Sequence, residues 1–305
     1  MHSSKRQLVA AACVTAMVLA LATCAQATVR YRITDLGNRG ASDINNLGVI
    51  VGGSPTIPYM YDDGVITPLV GMNAAYAVND LGHVVGDKFV IGGHHTAALY
   101  KNGQITELKA PPGRPYSTAY ALNNSDKVVG TWDDSWAHNI TGGFVWENGV
   151  NSDIGYGEAY GINQAGDYVG GHELGGQAYA VIGGSVTFLS LDPAPKGSRA
   201  NAINDLDQVV VETDLGTHAY FWDTNNRASL IEIRQAGSYS RVHPRAINNQ
   251  GIVVGECYGY PATRAFVWQN GTFEYLTDLV DPSEGWIFST ANGMNELGQI
   301  VGNGT

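Results

Sequence analysis

The sequence predicts an all-β fold, a β-propeller, on three observations. One phrase occurs seven times: an apolar residue, Asn, two residues, usually Gly, and then Val-Val-Gly or a close variant. Its asparagines are Asn45, Asn79, Asn123, Asn163, Asn204, Asn248 and Asn295, spaced 34, 44, 40, 41, 44 and 47 residues apart. A period of about 40 with two hairpin signals per unit is that of a four-stranded propeller blade. No window beyond residue 27 carries a helical period, and the 39 glycines weigh against helix. Seven blades are expected, the last incomplete and closed by an N-terminal strand; six blades is the alternative. A β-solenoid or roll competes, but solenoid coils repeat at shorter periods and need no pair of tight hairpins per coil.

The N-terminus comes first. Residues 1–27 read as a secretory signal peptide. Lys5 and Arg6 supply a positive start, and Leu8 to Ala22 is an uncharged, mostly apolar stretch, short for a membrane span. Ala25-Gln26-Ala27 fits the small-x-small cleavage rule. The alternatives are an uncleaved anchor and a lipoprotein, the latter because Cys24 follows Leu21-Ala22-Thr23, although Thr23 fits that motif poorly. Residues 28–305 then form a single propeller domain. Residues 29–37 match a fourth strand and are expected to join the C-terminal hairpin around 291–302.

Each unit between reads as two hairpins. In the first, a strand such as Ala75-Tyr76-Ala77-Val78 meets Asn79-Asp80-Leu81-Gly82 and returns as His83-Val84-Val85. Asn starts turns by accepting from a backbone N–H two residues on, and Gly in the fourth place tolerates φ > 0. That order suits a type I turn closed by a G1 bulge. Asp126 and Asp207 replace the Gly in two units, and Asp is among the few residues that visit the left-handed region at modest cost. The second hairpin pairs an aromatic-ended strand with an Asn-Gly or Asp-Gly turn, as in Phe144-Val145-Trp146-Glu147-Asn148-Gly149 and Phe266-Val267-Trp268-Gln269-Asn270-Gly271. Trp146, Trp222 and Trp268 recur at one place in the unit and are expected in the core between blades.

These residues resemble the HAF-repeat family of extracellular bacterial repeat proteins. The matching marks are Ala246-Ile247-Asn248…Val254-Gly255, His218-Ala219-Tyr220-Phe221-Trp222, and the Asp35-Leu36-Gly37 phrase. The resemblance covers essentially all of residues 28–305. It implies export and a repeat fold, and no activity or catalytic residue to carry over.

Charge and cysteines narrow the partners. The formal charge is −11, and loss of residues 1–27 removes two cations and no acid. A chain so acidic, without a basic run, is unsuited to nucleic acid or anionic lipid. No stretch after the signal is apolar enough to cross a membrane. Cys257 remains alone once Cys13 and Cys24 leave, so no internal disulfide can form, and a small buried residue is the expectation. The expected state is a monomer, secreted or periplasmic.

Function is expected on one face. The Asn turns and the Asn-Gly turns lie at one end of every blade. The opposite end carries long loops that differ between units, and such loops on a rigid scaffold are where function collects. Binding candidates there are Trp132, Asp133, Asp134, Trp136, His138, His172, Tyr258, Tyr260 and Trp286, with Trp132 and Trp136 as exposed indoles for stacking. The ligand is unknown, a glycan or a protein surface. His94-His95 with His138 or His172 is a poor chelate, since adjacent strand residues point apart. Asp133-Asp134 lacks the spaced oxygens of a calcium loop. No metal, cofactor or catalytic residue is expected, and no Gly-x-Ser-x-Gly, Walker or His-Glu-x-x-His motif occurs. The chain therefore reads as a non-catalytic binding or scaffold propeller; a hydrolase or lyase acting on carbohydrate or a related polymer is the alternative.

Overall fold

The computed structural model describes residues 31–305 apart from 54–56, 91–92, 110–113, 134–140, 156, 173–175, 190–196, 214–215, 227–229, 235–240 and 260–261. Residues 1–27, read above as a signal peptide, and Asp134, Trp136, His138 and Tyr260 thus lie outside the described residues.

The strands run in fours. The first unit holds β1–β4 at Ala41–Ile44, Ile50–Gly52, Tyr59–Asp62 and Val65–Pro68. The second holds β5–β8 at Ala74–Val78, Val84–Val90, His94–Lys101 and Gln104–Glu107. The third holds β9–β12 at Tyr116–Leu122, Val128–Asp133, Thr141–Glu147 and Val150–Asp153. The fourth holds β13–β16 at Glu158–Ile162, Tyr168–His172, Tyr179–Ile182 and Ser185–Phe188. The fifth holds β17–β20 at Ser198–Ile203, Gln208–Thr213, His218–Asp223 and Leu230–Glu232. The sixth holds β21–β24 at Arg241–Ile247, Val253–Tyr258, Arg264–Gln269 and Thr272–Tyr275, and a hairpin of β25 and β26 follows at Phe288–Met294 and Ile300–Gly304. Every pairing between strands is antiparallel. The fourth and fifth units share one sheet, because β14 also pairs with β17 at Gly171↔Arg199 and His172↔Ser198. The result is an all-β, propeller-like fold.

The turns have the geometry that their residues require. Gly48, Gly82, Gly166, Gly251 and Gly298 have φ between 70° and 87°, and Asp126 and Asp207 take 60° and 59° in the same slot. The phrase asparagine holds the turn from inside: Asn45 Oδ1 accepts from Leu47 N at 3.0 Å and from Val49 N at 2.8 Å. In every four-stranded unit but the fifth the second turn puts both central residues at positive φ, for example Asn270 at 49° and Gly271 at 83°, as a type I′ hairpin demands.

The same asparagines tie unit to unit. Asn45 Nδ2 donates to Asn79 O at 2.8 Å, Asn79 to Asn123 O at 3.0 Å, and Asn295 to Asn45 O at 2.8 Å. The next residue adds a second collar. Asn46 N donates to Asp80 Oδ1, Asp80 N to Asn124 Oδ1, and Asn124 N to Gln164 Oε1. Gln164 N then donates to Asp205 Oδ1, Asp205 N to Asn249 Oδ1, Asn249 N to Glu296 Oε2, and Glu296 N to Asn46 Oδ1. The circle of seven turns closes on itself.

Apolar cores fill the spaces between consecutive units. One joins Val210 and Phe221 of the fifth unit to Val253, Phe266 and Trp268 of the sixth. Trp222 and Trp268 are buried between sheets, as their recurrence predicts, Trp146 is only partly buried against its core, and Cys257 is buried in the cluster of Trp268. Val301 of the last hairpin packs on Ala41, Ile44 and Ile50 of the first unit. The N-terminal segment departs from expectation. Tyr31 N donates to Leu279 O at 2.8 Å and Tyr31 bridges Val280 in parallel, after the 3-10 helix at Leu276–Leu279. Among the described residues no backbone hydrogen bond joins 31–40 to β26. Tyr31 is instead drawn into the core with Leu279, Phe288 and Ile300, so the segment lies beside the hairpin without extending its sheet.

Candidate functional site

Each unit's first strand carries one residue that no partner opposes. In β1, Ala41 faces Gly52 and Asp43 faces Val51, which leaves Ser42 bulged from the ladder. The same step skips Tyr76, Tyr120, Tyr160, Asn201, Arg245 and Asn292. All seven stand three places before the phrase asparagine. A bulge re-aims the side chain it releases. Here it aims all seven inward, where together with Arg199 they line one cavity of about 440 Å³.

The Gly that ends Val-Val-Gly packs closely against the bulged strand in six of the seven units. A Cβ on Gly86 would stand 2.0 Å from Ala74 O. Gly130, Gly170, Gly255 and Gly302 meet the equivalent carbonyl at 2.1, 1.8, 2.1 and 2.0 Å. These glycines are therefore needed for close approach of backbone, not for positive φ. Val211 takes the place in the fifth unit.

The cavity has two chemically different arcs. Tyr76, Tyr120 and Tyr160, on β5, β9 and β13, form a run of rings with centroids 5.5 Å apart at each step. Burial, then Asp87 and Tyr120, pushes the Tyr76 hydroxyl up to about 12. Burial raises Tyr120 too, and burial with the Glu158 carboxylate raises Tyr160. All three phenols stay protonated, and Tyr160 donates to Glu158 Oε2. Arg199 lies over the Tyr160 ring at 4.9 Å and begins the second arc.

That arc is cationic in front and anionic behind. Arg199 Nη2 bonds Glu212 Oε1 at 2.5 Å, and His243 Nδ1 meets the other Glu212 oxygen at 2.9 Å. Burial alone would raise Glu212, but its bond with His243 and the Arg199 charge outweigh that and hold it below the usual carboxylate range. Arg245 grips Glu256 from the side, Nε at 3.1 Å from both oxygens and Nη2 at 2.5 Å from Oε1. The Arg245 side chain is 43% exposed and its partner Glu256 is 0% exposed. Burying a carboxylate unpaired would cost several kcal/mol, so each arginine is fixed by the acid behind it.

The opposite mouth of the channel is built from the turns. The phrase asparagines and their collar surround a second cavity of about 190 Å³, with Asp43 at its wall. Two places before the phrase asparagine the other units have Ala77, Ala121, Gly161, Ala202, Ala246 and Gly293, and Asp43 alone is polar. Its Oδ2 accepts from Val78 N at 3.0 Å.

The long loops and the wider cavity share one end of the fold, but the described candidates Trp132, Asp133, Tyr258 and Trp286 do not line that cavity. Trp132 is only 5% exposed. Its Nε1 donates to Gly143 O at 3.1 Å, and the Arg114 guanidinium covers its ring at 3.9 Å. An exposed stacking indole at 132 is thereby corrected, because the β10–β11 pairing folds the ring over Gly142. Asp133 ends β10, and His172 ends β14 opposite Ser198. Tyr258 is 43% exposed and sets its edge against the His243 ring at 5.0 Å. Trp286 stacks on Phe288 at 5.9 Å and lines a separate groove of about 260 Å³ against residues 34–40. His94 and His95 both pack on Tyr116. Among the described residues no group of three or more His, Cys, Asp or Glu is placed to hold a metal.

The lining residues were legible only by aligning the units on their asparagines. Three places before the Asn, the repeats read Ser, Tyr, Tyr, Tyr, Asn, Arg and Asn. Every neighbouring place is nearly constant.

No family model matches the sequence, and no curated protein matches it. Solved structures do. A streptogramin B lyase is 14% identical, covering 77% of this chain and 82% of that one, with a TM-score of 0.54. The β-propeller domain of the trilobed protease from Pyrococcus furiosus is 8% identical over 78% and 82%, with a TM-score of 0.52. YCF48 from Cyanidioschyzon merolae is 14% identical over 87% and 95%, with a TM-score of 0.52. At such identities these likenesses establish the propeller fold alone.

Proposed function

We propose that this chain is an exported, non-catalytic binding propeller of the HAF-repeat kind, with seven blades, which takes its ligand in the tyrosine- and arginine-lined channel mouth. The observation that carries the reading is the bulge. In a phrase otherwise constrained by turn, collar and close backbone contact, one place per unit is free to vary, and all seven such places face a single cavity. A volume of about 440 Å³ falls within the range of about 300–1,000 Å³ usual for small-molecule sites. The seven-blade count is supported by the closed collar and by the last hairpin packing on the first unit. Export rests on the charge and apolar pattern of residues 1–27.

Binding is favoured over catalysis by the state of the titratable groups. The oriented imidazole nearest the site, His243, turns Nε2 toward Gly216, where a Cβ would come within 2.4 Å of it. His243 is not part of the cavity wall. The carboxylates Glu212 and Glu256 are committed to arginines. A general base needs reach to a substrate proton, and these groups lack it. The test is a panel of glycans, peptides and small metabolites screened against wild type and a Tyr76→Ala, Tyr120→Ala variant of unchanged circular dichroism. A ligand lost by the variant supports the site. Ligands held equally by both proteins would move the site elsewhere, and turnover of any of them would overturn the non-catalytic reading.

A further inference from the structure

The two arcs of the cavity differ in what they can recognise, and the difference specifies a ligand class. This step rests on the channel mouth being the binding site. Tyrosine faces stack on rings, and a protonated phenol such as that of Tyr76 can also donate a hydrogen bond. Asn201 Nδ2 is engaged by Pro244 O at 2.8 Å and Asn292 Nδ2 by Ala41 O at 2.8 Å. The amide oxygens of both are thus the atoms left to accept. That density of donors and acceptors beside a ring platform suits a hydroxyl-rich ring better than a bare aromatic one.

Arg245 supplies the remaining element. A guanidinium has two forks. The side fork, Nε with Nη2, is occupied by Glu256. The end fork keeps the Nη1 hydrogens and the second Nη2 hydrogen, and Arg245 lines the cavity with its side chain 43% exposed. Glu256 is fully buried and Arg245 is not, so the pair is a dipole whose positive end meets the cavity. The Arg199–Glu212 pair, with its acid 3% exposed, is oriented alike on the neighbouring unit. Planar bidentate binding of a carboxylate is what such a fork does best. The formal charge of −11 sets a limit in the other direction: a long polyanion is repelled by the molecule as a whole, whereas one carboxylate inside the mouth feels mainly the nearby fork.

We infer that the channel mouth binds a short acidic sugar, a uronic acid unit whose ring stacks on Tyr76, Tyr120 and Tyr160 and whose carboxylate docks on the end fork of Arg245. The probes are glucuronic and galacturonic acid mono- and disaccharides, with glucose- and galactose-based neutral twins, titrated calorimetrically into the purified protein. The uronates are expected to bind about tenfold or more tightly than the neutral twins, the margin of one charge-assisted fork. An Arg245→Gln, Glu256→Gln variant removes the fork without leaving a buried charge unpaired. It should erase the margin and leave the neutral sugar unchanged, while Tyr120→Ala weakens both. Equal affinity for acid and neutral sugar, a margin intact in the double variant, or no uronate binding at millimolar concentration would overturn the inference. A neutral sugar that binds as tightly as its uronate and is lost with Tyr120→Ala would overturn the acid requirement while leaving the site in place. If the double variant fails to fold, the wild-type comparison of acid and neutral sugars decides alone.

Discussion

Asp126 and Asp207 occupy the same turn place as five glycines, and they are not equivalent. Both accept the left-handed backbone. Asp126 in addition takes a hydrogen bond from Asn79 Nδ2 at 3.2 Å, meets His83 Nδ1 at 2.6 Å and pairs with Lys101 at 2.7 Å. Burial would raise its carboxyl, but the Lys101 and His83 bonds outweigh that and lower it. Asp207 takes a bond from Asn163 Nδ2 at 3.0 Å, while burial and then Asp167 push its carboxyl up. Asp126→Gly is therefore expected to cost about 1 kcal/mol, allowing for solvent screening of a partly exposed group, and Asp207→Gly close to nothing; denaturant midpoints compare them. Asp43 gives a pH signature. Burial pushes it up to about 6 from 3.8, against backbone N–H bonds from Val78 and Ile44. A carboxyl raised in the folded state stabilises the fold fully below its unfolded value, and that contribution is lost as pH rises through about 6. Asp43→Asn keeps an acceptor for Val78 N–H. It should raise Tm by several degrees at pH 7.5 and by little at pH 4, and an equal rise at both would acquit the carboxylate.

At the level of the element, the first hairpin of each unit carries both the turn and the cavity-lining bulge. Its turn was legible from sequence, because Asn and Gly announce themselves within five residues. Its bulge was not. Ala75-Tyr76-Ala77-Val78 reads as plain alternation, and the residue packed against the bulge, Gly86, lies ten places further on in the partner strand. The long loops drew attention for their Trp and His, yet Trp132 proves to be a core residue closed over Gly142. The pairing of Gly with bulge yields a prediction. Gly86→Ala puts a methyl 2.0 Å from Ala74 O and is expected to destabilise by about 1–3 kcal/mol, as overpacking does. Urea unfolding measures it. A neutral result would mean that the strand can shed its bulge, and Tyr76 would then leave the channel. Gly251→Val tests the other kind of glycine: nothing lies within 3.6 Å of its Cβ position, so the cost there comes from φ 70° alone.

For the whole molecule the question is closure. The repeat period fixed the kind of ring, and the collar of side-chain acceptors explains why the residue after each phrase asparagine is Asn, Asp, Gln or Glu in every unit. That regularity was present in the sequence but unreadable, since each member bonds a residue some 40 places away. The N-terminal segment enters the last core through Tyr31 and does not lengthen the hairpin sheet. Removing residues 31–37 is expected to lower Tm markedly by uncovering Leu279, Phe288 and Ile300. Tyr31→Ala should reproduce much of that loss, on the order of 3–5 kcal/mol for a buried aromatic. An unchanged melting curve in both would show that the ring closes through the collar alone.

The bulged residues belong to no ladder, and this frees them from a constraint that governs nearly every other inward-facing side chain. A core residue can change only if its neighbours accept the new shape. Ser42, Tyr76, Tyr120, Tyr160, Asn201, Arg245 and Asn292 are released from strand register, and several face open space. Codons at these places can drift while the scaffold stays intact, except at Arg245, whose loss would leave the buried Glu256 unpaired. The channel mouth is in that sense the variable place written into a repeat, and under the proposed function a chain that kept the phrase could change its ligand by substitutions there without disturbing the turns or the collar.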